Sequence, residues 1–69
     1  MTGGPIRVLV VDDHPVVRGG LVALLGSEPG IDVLGAAGSG EDALTMVDEL
    51  HPDLVLCDYS LPAFSPMRA

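Results

Sequence analysis

Sixty-nine residues hold one small domain at most, and a domain of that size buries only roughly 60% of its unfolded surface, so independent stability is doubtful from the outset. With 48% hydrophobic residues the chain still has material for a core, which excludes a disordered tail. Ten carboxylates against three arginines and no lysine, a formal charge of -7, argue against direct contact with a nucleic-acid backbone, and no apolar stretch nears the ~20 residues that cross a bilayer.

Ile6 to Val11, Ile-Arg-Val-Leu-Val-Val, is a β-branched run of the kind that fills a strand covered on both faces. Asp12, Asp13 and His14 interrupt it. Pro15 then suits a first helical position, where its missing N–H does no harm. Val17, Leu21, Leu24 and Leu25 recur at helical spacing, which predicts one apolar stripe towards a sheet with Arg18 pointing to solvent. The segment Gly26 to Gly30 stops this helix. Ile31 to Ala37 is a second strand, weakened by Gly35.

Ser39 followed by Asp42 resembles a capping box, and Ala43, Leu44, Val47 and Leu50 share a face of the helix that follows. His51 and Pro52 end that helix, with His51 placed to complement its dipole. Leu54 to Cys57 is a third buried-type strand, ended by Asp58, Tyr59, Ser60, Leu61 and Pro62. Cys57, the lone cysteine, reads as a core hydrophobe and fits a reducing compartment. The opening Met-Thr-Gly-Gly-Pro lacks the regions of a signal peptide, so a cytoplasmic location is expected. Residues 63–69 carry too little pattern to assign and are read as a tail.

The order β-α-β-α-β with short connections predicts an α/β fold with parallel strands and right-handed crossovers. In such sheets ligands gather beyond the carboxyl ends of the strands. Asp12 and Asp13 lie at one such end and Asp58 at another. If the first strand is central, the three carboxylates converge and repel, and Mg²⁺ held by one or two of them is the natural occupant. A phosphoryl oxygen could share that ion, with Asp58 as the in-line nucleophile. The plain alternative is that aspartates simply end strands and cap helices. The pattern alone leaves both open.

Three stretches carry a resemblance: Val-Leu-Val-Val-Asp-Asp-His-Pro, Gly-Ser-Gly-Glu-Asp-Ala-Leu and Pro-Asp-Leu-Val-Leu-Cys-Asp-Tyr-Ser-Leu-Pro. Over residues 6–62 the chain resembles the N-terminal part of a response-regulator receiver domain, and is most similar to regulators of the NarL/LuxR type. The resemblance implies a flavodoxin-like sheet in the order 2-1-3. It implies that Asp12 and Asp13 serve Mg²⁺, with Asp13 the direct ligand, and that Asp58 accepts phosphate from the phosphohistidine of a sensor histidine kinase. Ser60 would give its backbone carbonyl to the metal, and Pro62 would shape the next loop. Such a protein is not an enzyme beyond weak self-dephosphorylation, and its intact relative would carry a DNA-binding domain.

The resemblance has gaps. A complete receiver adds two strands that bring a hydroxyl residue and a lysine to the phosphoryl group, and this sequence has no lysine. After Pro62 the family's usual Gly-x-Asp-Gly gives way to Ala-Phe-Ser-Pro-Met-Arg-Ala. The expectation is therefore a truncated receiver, with an open sheet edge that favours self-association. Two competing readings are a degenerate, unphosphorylated receiver acting as a protein-interaction module, and a fragment of an Mg²⁺-dependent phosphatase or flavodoxin-like enzyme. The second lacks its own nucleophile set. Gly38-Ser39-Gly40 reads as a turn and helix start rather than a phosphate loop, since the remaining glycines and the lysine are missing.

Overall fold

A computed structural model of the chain describes residues 4–57. The elements follow in the order β1 (Ile6–Val11), α1 (Pro15–Gly26), β2 (Ile31–Ala37), α2 (Gly40–Leu50) and β3 (Leu54–Cys57). Their bounds match the apolar runs because glycine, proline and aspartate punctuate each one. All pairings are parallel, and the strand order is β2-β1-β3. β1 is central, so among the described residues Val8 to Val11 form a continuous run of buried side chains. The expected order 2-1-3 and the α/β class both hold.

Going from β1 to β2 and then back past β1 to β3, right-handed crossovers must put the two helices on opposite faces. On the α2 face, Leu9, Val11, Ala37 and Ala43 form the buried core, with Met46, Val47, Val55 and Cys57 packed around it. Cys57 thus has the apolar setting expected of it. Between Val8 and Leu9 the pairing with β2 shifts by one residue, so Leu9 pairs with Gly35 rather than Leu34. A Cβ on Gly35 would lie 2.6 Å from Met46 Cε, so the glycine that weakens β2 on paper gives α2 room to approach the sheet.

The helix faces differ from expectation. In α1 the half-buried side chains are Arg18, Leu21, Val22 and Leu25, a stripe at i, i+3, i+4 and i+7, while Val17 and Leu24 are exposed. Arg18 therefore does not point to solvent. It is half-buried, and its head finds a backbone acceptor described below. In α2 the packed stripe is Gly40, Ala43, Met46, Val47 and Leu50, and Leu44 is 61% exposed. Gly35 lets Met46 reach the sheet, which turns Leu44 outwards.

The caps explain the helix ends. Ser39 Oγ accepts from the Asp42 N–H at 3.1 Å, as the Ser39–Asp42 spacing predicts. At the other end of α2, His51 adopts the left-handed conformation that closes many helices. The cation there comes from β1: Arg7 donates through Nη1 to His51 O and through Nη2 to Leu50 O, both at 2.7 Å. Arg7 thus takes the part assigned to His51.

Candidate metal centre

The site begins with the end of the central strand. Asp12 continues the β1 ladder by one bond, its N–H donating to Ala37 O at 3.1 Å. Enclosed there, it is 3% exposed and is the one buried charged residue among those described. A carboxylate so placed needs compensation. Its Oδ1 accepts from the His14 N–H at 2.8 Å, an Asx-type turn that leads the chain into α1.

His14 does more than enter the helix. Its Nδ1 lies 3.2 Å from Asp12 Oδ1 and 2.8 Å from Asp13 Oδ1, so the ring bridges the two carboxylates. Ionised carboxylates only accept, which makes Nδ1 the donor in both contacts. The Asp13 side chain is 38% exposed and that of His14 60%, so the site opens to water on one side and is walled by the sheet on the other.

One ligand atom from each of Asp12, Asp13 and His14 falls within 4.8 Å of the others. Among the described residues both hydrogen bonds to the Asp12 carboxylate use Oδ1, which leaves Oδ2 its lone pairs. Two carboxylates, one buried and one facing water, suit Mg²⁺, which binds through one or two carboxylates and keeps several waters. Imidazole suits transition metals better, so His14 fits as a hydrogen-bond donor to the carboxylates rather than as a magnesium ligand. The donor set fits Mg²⁺.

The described residues reach the neighbouring strand end as well. Val11 pairs with Cys57, so the last residue of β3 stands beside the residue that precedes Asp12. Asp58, Tyr59, Ser60 and Pro62 lie outside the described residues, and their expected roles stay expectations.

One contact at this site was not foreseen. Arg18 Nη1 donates to the backbone carbonyl of Asp12 at 2.9 Å. Reading the α1 stripe as 18, 21, 22 and 25 would have brought Arg18 inside. The apolar residues Val17 and Leu24 hid that register.

The model of the family described as "Response regulator receiver domain" matches residues 8–68. The chain belongs to the response regulator receiver family. Among its relatives, the response regulator GacA of Pseudomonas viridiflava is 47% identical over 64 residues, covering 93% of this chain and 30% of GacA. The DNA-binding transcriptional activator DevR/DosR of Mycobacterium tuberculosis is 49% identical over 57 residues, covering 83% of this chain and 26% of that protein. The solved signal receiver domain of a NarL response regulator from Mycobacterium tuberculosis superposes with a TM-score of 0.81 at 38% identity, covering 87% of this chain and 48% of the other. The chain thus spans under a third of its curated relatives and about half of a solved receiver. Its similarity to NarL/LuxR-type regulators holds, and as a receiver it is a signalling module of two-component systems rather than a classical enzyme. The family binds Mg²⁺ at an acidic pocket, and in this chain Asp12, Asp13 and His14 cluster at the end of β1. No helix among the described residues is long and apolar enough to cross a membrane.

Proposed function

We propose that this receiver is a phosphoryl acceptor, with Asp58 as the acceptor and Asp12 and Asp13 as the residues that hold Mg²⁺. The observation that carries the reading is the pairing of Val11 with Cys57, which sets the strand end before Asp58 beside the buried Asp12 carboxylate. An Asp58 oxygen attacks the phosphorus of a phosphohistidine on a sensor histidine kinase. The new P–O bond forms as the P–N bond breaks, and the departing imidazole nitrogen takes a proton from solvent. Mg²⁺, when bound, spreads the negative charge of the transferring group.

Asp12 and Asp13 contribute by being held ready. The turn through His14 N–H fixes the Asp12 carboxylate, and the sheet behind it excludes water from one side. Within the reading, Asp13 is the direct ligand, Asp58 lends a second oxygen and Ser60 its backbone carbonyl. DNA binding would belong to a separate output domain, as it would in the DNA-binding transcriptional activator DevR/DosR.

A second reading is an interaction module that takes no phosphate. It is favoured by the exposed apolar side chains of Ile6, Leu54 and Leu56 on the described strands, a surface that another chain could cover. Intact-mass measurement with a small phosphodonor and Mg²⁺ decides between the two. The acceptor reading expects one added phosphoryl group on wild type and none on Asp58→Ala. No addition to wild type, or equal addition to both, sinks it.

A further inference from the structure

We propose that Arg18 is a positioning residue for the acidic site, and that Gly38 lacks a side chain in order to seat it. The inference rests on the magnesium reading above and names a group that sets that site's geometry. Arg18 holds the β1–α1 turn from two directions. Its backbone N–H donates to His14 O at 2.8 Å, closing the first turn of the helix, while Nη1 reaches back to Asp12 O at 2.9 Å.

That carbonyl belongs to the peptide joining Asp12 to Asp13. A peptide unit is planar, so fixing its oxygen fixes the plane from which both carboxylate-bearing Cα atoms extend. The guanidinium therefore governs how the two carboxylates stand to one another without touching either in these contacts.

Gly38 supplies the floor. A Cβ built there would lie 2.8 Å from Arg18 Nη1 and 3.6 Å from Cζ. Gly38 has no positive φ, so its backbone asks for no glycine, and the space above it is what a side chain would destroy. The guanidinium thus rests where the ends of β1 and β2 meet the start of α1.

The sign of the effect separates positioning from charge. A guanidinium near a cation site opposes the cation, so deleting a mere charge would tighten Mg²⁺ binding. Deleting a positioner loosens it. Outer residues that orient metal ligands typically matter by about 10-fold or more in affinity.

The test is a Mg²⁺ titration of the full chain, followed by the backbone amide resonances of Asp12, Asp13 and His14, with far-ultraviolet circular dichroism as the check on folding. Wild type is compared with Arg18→Ala, Gly38→Ala and the double variant. Gly38→Ala keeps the guanidinium but takes its seat, and the displaced atom is the end of a flexible side chain, so the fold yields cheaply. Each single variant is expected to weaken Mg²⁺ about 10-fold, and the double no further, because both remove one contact. Unchanged or tighter binding in either variant overturns the role of Arg18, as do losses that multiply in the double. If Arg18→Ala unfolds, Gly38→Ala decides alone. A wild type that shows no response to Mg²⁺ overturns the magnesium reading itself, which is a distinct result.

Discussion

His51 ends α2 with φ 50° and ψ 60°, a conformation that a residue with a Cβ adopts at a cost of about 1–2 kcal/mol and glycine adopts freely. Its side chain is exposed, and its N–H bond to Val47 O at 3.0 Å survives any substitution except proline. His51→Gly should therefore stabilise the fold by about 1 kcal/mol, after allowance for the extra freedom glycine brings to the unfolded chain. Urea unfolding followed by circular dichroism measures it, and a loss of stability would show that the imidazole makes a contribution the geometry does not explain. At this scale the sequence displays what is chemically rare. A doubled aspartate after a β-branched run drew the eye to the site, although the same residues commonly end strands and only the family resemblance singled out the metal reading. It conceals what depends on shape: Arg18 and Gly38 lie 20 positions apart and meet only after β1 and β2 pair.

Between elements, Arg7 joins β1 to the end of α2. Its two bonds satisfy the carbonyls of Leu50 and His51, which the helix itself leaves without partners, and its backbone exchanges bonds with Asp53. One of the two guanidinium bonds is exposed and the other partly buried, so water replaces part of what is lost on removal. Arg7→Met, which keeps the stem, should cost about 1–2 kcal/mol, and the C-terminal turn of α2 should lose amide protection first. Hydrogen exchange that shows the N-terminal turn of α2 loosening equally would refute a local capping role. The elements were legible because each apolar run is bounded by residues that cannot continue it. Their buried faces were less so, since hydrophobicity placed Val17 and Leu44 inwards. Packing chose Arg18, whose stem is apolar, and Met46, which follows the space above Gly35.

At the scale of the whole molecule, β3 closes one side of the described sheet and leaves an apolar surface. Val8 pairs with Leu54 and Val10 with Leu56, so these side chains share the face opposite α2, and Ile6 joins them two residues before Val8. Leu54 and Ile6 are each 52% exposed, since α1 packs over β2 and β1 and does not extend across β3. Exposed leucines on a strand of this kind favour contact with another chain. The formal charge of -7 opposes contact between copies, and salt weakens that repulsion. Sedimentation velocity on the chain should therefore show association that grows with concentration and strengthens as sodium chloride is raised. Leu54→Lys should reduce it. The substitution makes the chain less negative, which by charge alone would promote association, so a reduction can only reflect the lost apolar contact. A variant that sediments as wild type does at every salt concentration would move the contact away from this face.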